Sequence, residues 1–445
     1  MQFSFFKNTL LIFLPLVIIC FSCGSGNKDK NVSTSEEIVI HDTYKLTDPA
    51  VSSTHNEVGK SGILLGIHQN IEYLKLLKNK KVGIVANQTS VWIDTLDSSK
   101  PPYKGIVRDT LIISKNHLVD FLVASEIDVK KVFAPEHGFR GKADAGEKVK
   151  DSKDTKTGLP IISLHGKHKK PIPQQLEEID IVIFDIQDVG VRFYTYISTM
   201  HLVMEACAEA GIPVIILDRP NPNGHYIDGP MMEKEHTSFL GMHPVPLVHG
   251  MTIGEYAQMI NGEGWLANGI QCEIHVIEML NYTHQTPYSL PVRPSPNLPN
   301  DVAINLYPSL GLLEGTNLSA GRGTEMQFQV IGSPYLPSEF YPFTYTPAPN
   351  FGSKYPKHQG KQCNALDLRN TPKMSRVDLS WIVDAYTSHG KKEDFFNTAN
   401  FTAHAGTAKL QEQIEKGYTF REIRKTWLRD LQAYDKMRQP YLIYD

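Results

Sequence analysis

Acidic, basic and amide side chains gather in short stretches that follow apolar runs, and one of these stretches contains Glu136. This residue lies in Phe-Ala-Pro-Glu-His-Gly, where proline and glycine restrict the backbone and Phe139 supplies an apolar neighbour. Loss of hydration among such neighbours raises the pKa of a carboxyl group, which suits it to act as a general acid near neutral pH. The alternative is an ordinary glutamate in a surface loop. We take Glu136 as the leading candidate for a catalytic acid.

A second polar cluster occupies residues 184–196 and combines carboxylates, an arginine and two tyrosines. Its members are Asp185, Gln187, Asp188, Arg192, Tyr194 and Tyr196. One interpretation is a clamp for sugar hydroxyls, with the tyrosines stacked on pyranose rings. For Asp188 with Arg192, the alternative is a structural salt bridge. The stretch 218–224, Asp-Arg-Pro-Asn-Pro-Asn-Gly, offers similar donors, although Asn, Pro and Gly also make rigid turns without any ligand.

The second half of the chain contributes two further carboxylates, Glu314 and Glu325, which bracket a glycine-rich turn containing Arg322. Glycosidases generally use two carboxylates that flank the bond they cleave. One of the two, Glu314 by preference, could therefore be the partner of Glu136.

Other chemistries lack their sequence signals. The dinucleotide fingerprint Gly-x-Gly-x-x-Gly does not follow the first apolar run, and the chain contains neither a P-loop nor a Gly-x-Ser-x-Gly nucleophile elbow. The formal net charge of −3 and the lack of a basic stripe argue against nucleic acid as a partner. A divalent ion held by Glu136, His137 and the aspartates of the second cluster is the metal alternative. Adjacent Glu and His do not project from one helix face, so we expect no required metal.

Four apolar runs rich in β-branched residues precede these polar stretches, at residues 81–86, 129–134, 179–184 and 212–217. Runs without alternation are typical of strands buried on both faces, and helical patterns lie between them, at 71–77 and 198–210. This alternation predicts an α/β fold with a doubly wound parallel sheet, in which ligands bind beyond the carboxyl ends of the strands. The four polar endings should therefore meet at one edge. Two further runs, at 245–248 and 272–277, should continue the sheet, and a capping box predicts a helix over 420–437.

The N-terminal segment has the features of an export signal. Lys7 precedes an apolar run over residues 10–21, which is shorter than the roughly 20 residues that a transmembrane helix needs. Ser22 and Cys23 then resemble a bacterial lipobox, in which the cysteine is lipidated; ordinary secretion with cleavage nearby is the alternative. Residues 31–61 are polar and lack periodicity, which indicates a flexible tether. The other cysteines should be buried thiols: Cys207, Cys272 and Cys363.

Eight ordered motifs resemble those of the NamZ-type exo-β-N-acetylmuramidases. They are Val-Gly-Ile-Val-Ala-Asn-Gln-Thr (82–89), Phe-Ala-Pro-Glu-His-Gly-Phe-Arg-Gly (133–141), Phe-Asp-Ile-Gln-Asp-Val-Gly-Val-Arg-Phe-Tyr-Thr-Tyr (184–196), Leu-Asp-Arg-Pro-Asn-Pro-Asn-Gly (217–224), His-Gly-Met-Thr-Ile-Gly-Glu (249–255), Pro-Ser-Pro-Asn-Leu-Pro (294–299), Glu-Gly-Thr-Asn-Leu-Ser-Ala-Gly-Arg-Gly-Thr-Glu (314–325) and Tyr-Leu-Ile-Tyr (441–444). The resemblance runs from about residue 62 to the end of the sequence, and motifs of this length are specific.

The resemblance implies a Rossmann-like larger domain and a smaller C-terminal α/β domain with the cleft between them. Our expected boundaries are 1–22 for the signal peptide, 23–61 for the lipid anchor and tether, 62–290 for the catalytic domain and 291–445 for the C-terminal domain. The implied activity is release of terminal N-acetylmuramic acid from the non-reducing ends of peptidoglycan fragments, without a cofactor, for cell-wall turnover or recycling. Its catalytic glutamates fall on Glu136 and Glu314.

We expect the substrate, a peptidoglycan-derived glycan or muropeptide, to be bound by polar side chains of these motifs. The expected binding residues are Asn87, His137, Arg140, Asp185, Gln187, Asp188, Arg192, Tyr194, Arg219, Asn221, Asn223, His249, Asn297, Arg322 and Glu325. Lipidation at Cys23 would attach the protein to a membrane, in the periplasm or at the outer membrane of a Gram-negative bacterium. The alternative function is a non-catalytic lipoprotein that binds muropeptide or glycan. A metal-dependent hydrolase is a third interpretation.

Overall fold

A seven-stranded sheet with helices on both faces forms the centre of the molecule. The structure is a computed structural model and describes residues 62–96, 112–140 and 151–445. Its strands over these residues are β1 (Lys81–Ala86), β2 (Val91–Leu96), β3 (Ile112–His117), β4 (Asp128–Ala134), β5 (Ser152–Lys153), β6 (Pro160–Ser163), β7 (Ile181–Asp185), β8 (Val214–Leu217), β9 (Asp228–Met231), β10 (Pro246–Val248), β11 (Ile274–Ile277), β12 (Val330–Ser333), β13 (Phe343–Tyr345) and β14 (Cys363–Asp367). Its helices are α1 (Asn70–Leu77), α2 (Leu118–Ala124), α3 (Pro173–Leu176), α4 (Tyr196–Ala210), α5 (Ile253–Gly262), α6 (Asp301–Leu310), α7 (Ser380–Ser388), α8 (Thr398–Ala405), α9 (Lys409–Glu415), α10 (Phe420–Lys425) and α11 (Leu428–Arg438).

The parallel strands of the central sheet follow the Rossmann order. The sheet reads β11-β8-β7-β1-β4-β6-β5, and all its strands are parallel except the edge strand β5, which pairs antiparallel with β6. Numbered by their place along the chain, the parallel strands therefore have the order 6-5-4-1-2-3. The predicted doubly wound, Rossmann-like sheet is confirmed.

Successive residues of the central strands enter two separate hydrophobic cores, because side chains alternate between the faces of a sheet. In β1, Val82 and Ile84 pack with residues of α1 and α2, whereas Val85 packs with residues of α4 and α5. Both faces are covered, which explains why these strands are continuous β-branched runs rather than alternating patterns.

The predicted strands at 81–86, 129–134, 179–184, 212–217 and 272–277 correspond to β1, β4, β7, β8 and β11. The prediction that 245–248 continues the sheet is wrong. Strand β10 pairs antiparallel with β9 outside the central sheet, and Pro246, which stands opposite Met231, has no N–H to donate within an inner strand. The single helix predicted over 420–437 is also wrong, since α10 and α11 are separated where Trp427 turns into the core.

The smaller C-terminal part combines a three-stranded antiparallel sheet, ordered β12-β14-β13, with helices α7 to α11. Apolar side chains of this part, including Phe401 and Trp427, belong to the same hydrophobic core as those of α4 and α5. The chain then returns to the large sheet, where Tyr444 Oη donates a hydrogen bond to Asp218 Oδ2 at 2.7 Å. The boundary expected near residue 290 stays a prediction.

Cys207, Cys272 and Cys363 are buried free thiols, as predicted. Burial raises the pKa of each thiol, to about 12 for Cys272 and Cys363, so they are unreactive at neutral pH. Within the described ranges, every helix is too short or too polar to cross a bilayer. The export run at 10–21 and Cys23 lie outside the described residues, so the signal and lipid predictions stay predictions.

Arg192 is a fully buried side chain that joins the two parts of the molecule. Its Nη1 donates to the carbonyl oxygens of Pro230 and Val245 at 2.8 and 2.9 Å, and its Nη2 donates to those of His404 and Ala405 at 3.1 and 2.6 Å. The last two carbonyls close α8, whose C-terminal end is the negative end of the helix dipole. Burial lowers the pKa of Arg192 to about 9, and the guanidinium remains cationic at neutral pH.

Replacing Arg192 with Met should lower the free energy of unfolding by about 3 kcal/mol or more, because four buried carbonyl groups would lose their donor. Urea denaturation followed by tryptophan fluorescence measures this change. Arg369→Met is the control, since Arg369 pairs with Asp367 at the surface, and it should leave the midpoint almost unchanged. Similar midpoints for wild type and Arg192→Met would contradict the role assigned to Arg192.

Candidate active site at the carboxyl edge of the sheet

Strands β1 and β7 lie side by side at the point where the strand order of the sheet reverses. From β1 the chain continues to β4 on one side, and from β7 it continues to β8 on the other. Doubly wound sheets bind ligands beyond such a switch point. Asn87 follows β1, Glu136 follows β4 and Asp188 follows β7. The polar endings that were predicted to meet at one edge of the sheet do so.

Glu136 occupies a sharp turn directly after β4. Gly138 N–H donates to Pro135 O at 3.0 Å, and His137 adopts a left-handed backbone with φ 70°, which is uncommon for a residue with a side chain. The half-buried Glu136 accepts a hydrogen bond at Oε2 from Thr195 Oγ1, 3.1 Å away. Thr195 immediately precedes α4, so the carboxylate lies near the positive end of a 15-residue helix.

Two buried tyrosines, Tyr194 and Tyr196, and the partly buried Tyr307 lie beside Glu136. Tyr196 Oη is 3.5 Å from the Glu136 carbonyl oxygen. The ring of Tyr194 makes edge-to-face contacts with the rings of Tyr196 and Tyr307, with centroids 4.8 and 6.0 Å apart. Burial raises the pKa of all three phenols, and the Glu136 carboxylate raises those of Tyr196 and Tyr307 further. They are therefore neutral at working pH. Because the ring of Tyr194 is buried, the geometry does not support stacking of this ring on a sugar face.

Glu314 and Arg322 form an ion pair, with Arg322 Nε donating to Glu314 Oε1 at 2.7 Å. Burial alone would raise the pKa of Glu314, but the positive charges of Arg322 and Lys357 outweigh it, and the pKa is lowered to about 2. The negative charge of Glu136 is close enough to help raise the pKa of Arg322. Glu314 is thus ionised at neutral pH, and Arg322 lies within the electrostatic reach of both glutamates.

The turn that carries Glu314 is held from two sides. A side chain at Gly315 would come within 2.3 Å of the Phe401 backbone, so glycine allows the turn to lie directly on α8. From the other side, Lys357 Nζ donates to the carbonyl oxygens of Leu313 and Glu314 at 2.7 and 3.2 Å, and also to those of two residues further on, Thr316 and Leu318. A partly buried ammonium group therefore fixes this short stretch of backbone.

Asp188 and His249 are buried side by side with unused hydrogen-bonding capacity. Asp188 Oδ2 accepts from Gly190 N–H at 2.6 Å and lies 3.6 Å from His249 Nε2, which is too long for a hydrogen bond. Asp188 Oδ1, His249 Nε2 and Asn87 Nδ2 have no hydrogen-bond partner within the part of the chain that the structure describes. Such atoms are costly to bury, and their concentration at one edge is typical of a site for a polar ligand.

Several residues that were predicted to bind substrate are instead engaged within the protein. Asp185 and Arg219 form a bidentate ion pair, with Nε–Oδ1 at 2.6 Å and Nη2–Oδ2 at 2.9 Å. Burial raises the pKa of Asp185, although the charge of Arg219 opposes the increase. Arg140 pairs with Asp120 and Asp154, at 3.1 and 2.8 Å. Arg192 binds carbonyl groups, so the salt bridge considered between Asp188 and Arg192 is not formed.

The amide side chains of the two motifs also bind backbone. Gln187 Nε2 donates to Asp188 O and Pro220 O at 2.8 and 2.6 Å, and Asn221 Nδ2 donates to Met251 O at 2.8 Å. Asn223 Nδ2 donates to Val189 O and Ile304 O at 2.9 and 3.1 Å. These amides, together with Arg140, Asp185, Arg192 and Arg219, shape the cleft. The structure does not support the prediction that these residues contact the substrate directly.

The remaining predicted residues lie in different surroundings. His137 is buried in the turn after Glu136, and Asn297 Nδ2 donates to Gly352 O at 2.7 Å, whereas Glu325 is exposed. Sequence reasoning missed Thr195, Tyr307, Lys357 and His404, of which His404 lies close enough to Glu314 to help lower its pKa. Thr195 stands inside a recognised motif, but nothing in the sequence marks Lys357.

One group of residues among those described could hold a metal ion, and it includes none of the carboxylates discussed above. It consists of Glu233, Glu235 and His236, which follow β9, and Lys409 already pairs with Glu233. Such surface acidic groups are common without a metal.

Comparison with known proteins identifies the relatives of this chain. Residues 82–302 match the N-terminal domain, and residues 305–444 the C-terminal domain, of the family described as exo-β-N-acetylmuramidase NamZ. The peptidoglycan β-N-acetylmuramidase NamZ of Bacillus subtilis is 38% identical over 427 residues, which cover 92% of this chain and 97% of that protein. Crystal structures of two DUF1343 family proteins from Bacteroides fragilis match with TM-scores of 0.75 and 0.70 at 41% and 26% identity, each covering 86% of this chain and 99% of the other.

A Rossmann-like sheet with a glutamate at its carboxyl edge, completed by a smaller C-terminal part that carries a second glutamate, here defines a glycoside hydrolase. The chain belongs to the NamZ exo-β-N-acetylmuramidase family. The resemblance noted in the motifs is thereby confirmed.

The ion pair of Glu314 should make stability depend on pH in a defined window. A carboxylate whose pKa falls from 4.5 to about 2 on folding stabilises the protein above pH 4.5, and this contribution is lost as the pH falls towards 2. The difference in unfolding free energy between wild type and Glu314→Gln should therefore be on the order of 2 kcal/mol at pH 6 and shrink below pH 4.5. Urea titrations between pH 6 and pH 3 measure it.

Glu325→Gln serves as the matched control, because Glu325 is exposed on the neighbouring turn that carries Arg322. Glu325→Gln should change the free energy of unfolding very little at any pH between 6 and 3. A wild-type advantage over Glu314→Gln that stays constant down to pH 3 would contradict the lowered pKa of Glu314.

Proposed function

We propose that this protein is an exo-acting glycoside hydrolase that releases terminal N-acetylmuramic acid from the non-reducing ends of peptidoglycan fragments. The observation that carries the proposal is the pairing of two glutamates in different environments, Glu136 after β4 and Glu314 beside Arg322. The Bacillus relative, named as a peptidoglycan β-N-acetylmuramidase, supports the substrate class. Turnover or recycling of the cell wall is the corresponding role.

The two glutamates are proposed to have different roles because their environments differ. A general acid must carry a proton near neutral pH, and Glu314, with a pKa of about 2, cannot. We therefore assign protonation of the glycosidic oxygen to Glu136, whose orientation is supported by the hydrogen bond from Thr195. An electron-rich group must meet the positive charge that develops on the sugar ring in the transition state, and either the Glu314 carboxylate or the carbonyl oxygen of the substrate's own acetamido group supplies the electron pair.

The binding of the terminal sugar is assigned to the buried polar atoms at the carboxyl edge of the sheet. Asn87, Asp188 and His249 each leave one side-chain atom without a partner among the described residues, and so does Asn297 at Oδ1. Sugar hydroxyl and acetamido groups offer the matching donors and acceptors. Satisfying these atoms would recover the cost of burying them.

Replacing Glu136 with Gln should lower kcat for the N-acetylmuramyl-N-acetylglucosamine disaccharide by at least about 10²–10⁴-fold, because the leaving sugar then departs without a proton. A dinitrophenyl N-acetylmuramide needs little proton assistance, so its hydrolysis should fall far less. Glu314→Gln should impair both substrates if Glu314 meets the developing positive charge. Release of N-acetylmuramic acid, measured by chromatography and absorbance, separates these cases.

Wild-type turnover by Glu136→Gln on the disaccharide would contradict the assignment of the acid. Tight binding of the disaccharide by the wild-type protein without any release would instead favour the non-catalytic binding protein. Thr195→Val keeps the shape of the side chain but removes the hydroxyl group that donates to Glu136. We expect kcat for the disaccharide to fall about tenfold.

For localisation, we infer that Cys23 is lipidated and attaches the enzyme to a membrane in the periplasm or at the outer membrane of a Gram-negative bacterium. The support is the order of Lys7, the apolar run over 10–21, Ser22 and Cys23. A diacylated cysteine carries two chains, which is enough for stable anchoring.

Cys23→Ala should move the enzyme from the membrane fraction to the soluble fraction of the producing cells, since the thiol that takes the lipid is lost. The kcat of the purified protein should not change, because Cys23 precedes the tether. Cys363→Ala controls for loss of a cysteine as such. Continued membrane association of Cys23→Ala would contradict the lipid anchor.

A further inference from the structure

The loop between β13 and β14 exposes two large aromatic side chains. Tyr355 is 90% exposed and Phe351 is 59% exposed; among the aromatic side chains of the described residues only Phe340, at 64%, is comparable. A single exposed apolar side chain needs no explanation. Two within five residues of one loop raise the question of where this loop lies relative to the cleft.

One side of the loop is bonded to the turn that carries Arg322. Ala348 N–H donates to Gly323 O at 2.9 Å, and Asn350 Nδ2 donates to Thr324 O at 3.0 Å. Two residues after Tyr355, Lys357 Nζ donates to Glu314 O at 3.2 Å. Both exposed aromatic residues therefore lie between contacts to the segment that positions Glu314.

The other side of the loop is bonded to the segment that borders Glu136. Gly352 O accepts a hydrogen bond from Asn297 Nδ2 at 2.7 Å. Three residues earlier, Pro294 O accepts from Tyr194 Oη at 2.7 Å, and Tyr196 Oη lies 3.4 Å from the same atom. Three residues of chain span at most about 11 Å. The loop thus lies at the border of the cleft, between the surroundings of the two glutamates.

We propose that Phe351 and Tyr355 form a stacking surface for the leaving sugar, the N-acetylglucosamine ring joined to the terminal N-acetylmuramic acid. The inference rests on the proposed function. An exo-acting enzyme binds the terminal sugar among the buried polar groups of the cleft. The rest of the bound glycan must therefore extend out of the cleft past its border. The C–H faces of a pyranose ring are apolar and pack well on an aromatic ring, while the hydroxyl groups at the ring edge stay in water.

The stem peptide of a muropeptide is the other part of the substrate that could reach this border. It is attached through the lactyl group of the muramic acid, and it is not on the leaving-group side of the scissile bond. A sugar ring is therefore the occupant that we favour, and the peptide is an outcome that the experiment distinguishes.

The experiment compares two substrates that share the terminal sugar. N-acetyl-β-muramyl fluoride has a leaving group too small to touch the loop, whereas the peptide-free disaccharide N-acetylmuramyl-N-acetylglucosamine places a sugar on it. Tyr355→Ala and Phe351→Ala should each lower kcat/KM for the disaccharide about tenfold, as expected for loss of one stacked ring face. Hydrolysis of the fluoride should stay within twofold of wild type. Tyr355→Phe should restore the rate for the disaccharide.

Phe340→Ala is the matched control, because Phe340 is as exposed as Phe351 but lies outside this loop. It should change neither rate. Equal losses on both substrates, or no loss on the disaccharide, would overturn the stacking surface, and a loss seen only with a peptide-bearing muropeptide would assign the loop to the peptide. If the wild-type protein hydrolyses neither substrate, the proposed function fails first and this inference with it.

Discussion

The cleft rests on a buried ion pair between Asp185, the last residue of β7, and Arg219, which follows β8. Two charges are tolerated in such a place only when they are paired and hydrogen-bonded. The pair extends to a third element, because both Nη atoms of Arg219 lie 3.4 Å from Val91 O, and the Ser90 hydroxyl donates to Asp185 O. The ends of β1, β7 and β8 are thereby held together, and the segments that carry Asn87 and Asp188 start from fixed positions.

The two glutamates above this ion pair are positioned by different means. Glu136 sits on a strained turn at a strand end and is oriented by a hydroxyl at the start of a long helix. Glu314 sits on a short turn that an ammonium group holds by its carbonyl oxygens, and a guanidinium keeps its side chain ionised. One carboxylate therefore belongs to the large sheet and the other to the C-terminal part. The cleft is complete only when both parts are packed together.

The sequence predicts the central sheet well, because strands buried on both faces must be continuous β-branched runs, and four of them end in polar residues. It also places Glu136 at the carboxyl edge. It does not separate residues that face a ligand from residues that support the cleft, since Arg219 and Asn223 are polar members of the same motifs. Lys357 and Tyr307 escape detection for a related reason. Their partners lie far away in the chain, and no local pattern marks such contacts.

The bonds of Arg192 have a consequence for how the protein reaches its folded state. Its partner Ala405 is 213 residues away, and Tyr444 meets Asp218 across 226 residues. Closing loops of this length costs entropy before any contact repays it, so a fold dominated by such contacts assembles slowly. One of the two hydrophobic cores runs through both parts, so one face of the larger sheet is buried only when the C-terminal part is packed on it. The molecule should fold as one cooperative unit, late, when segments more than two hundred residues apart have met.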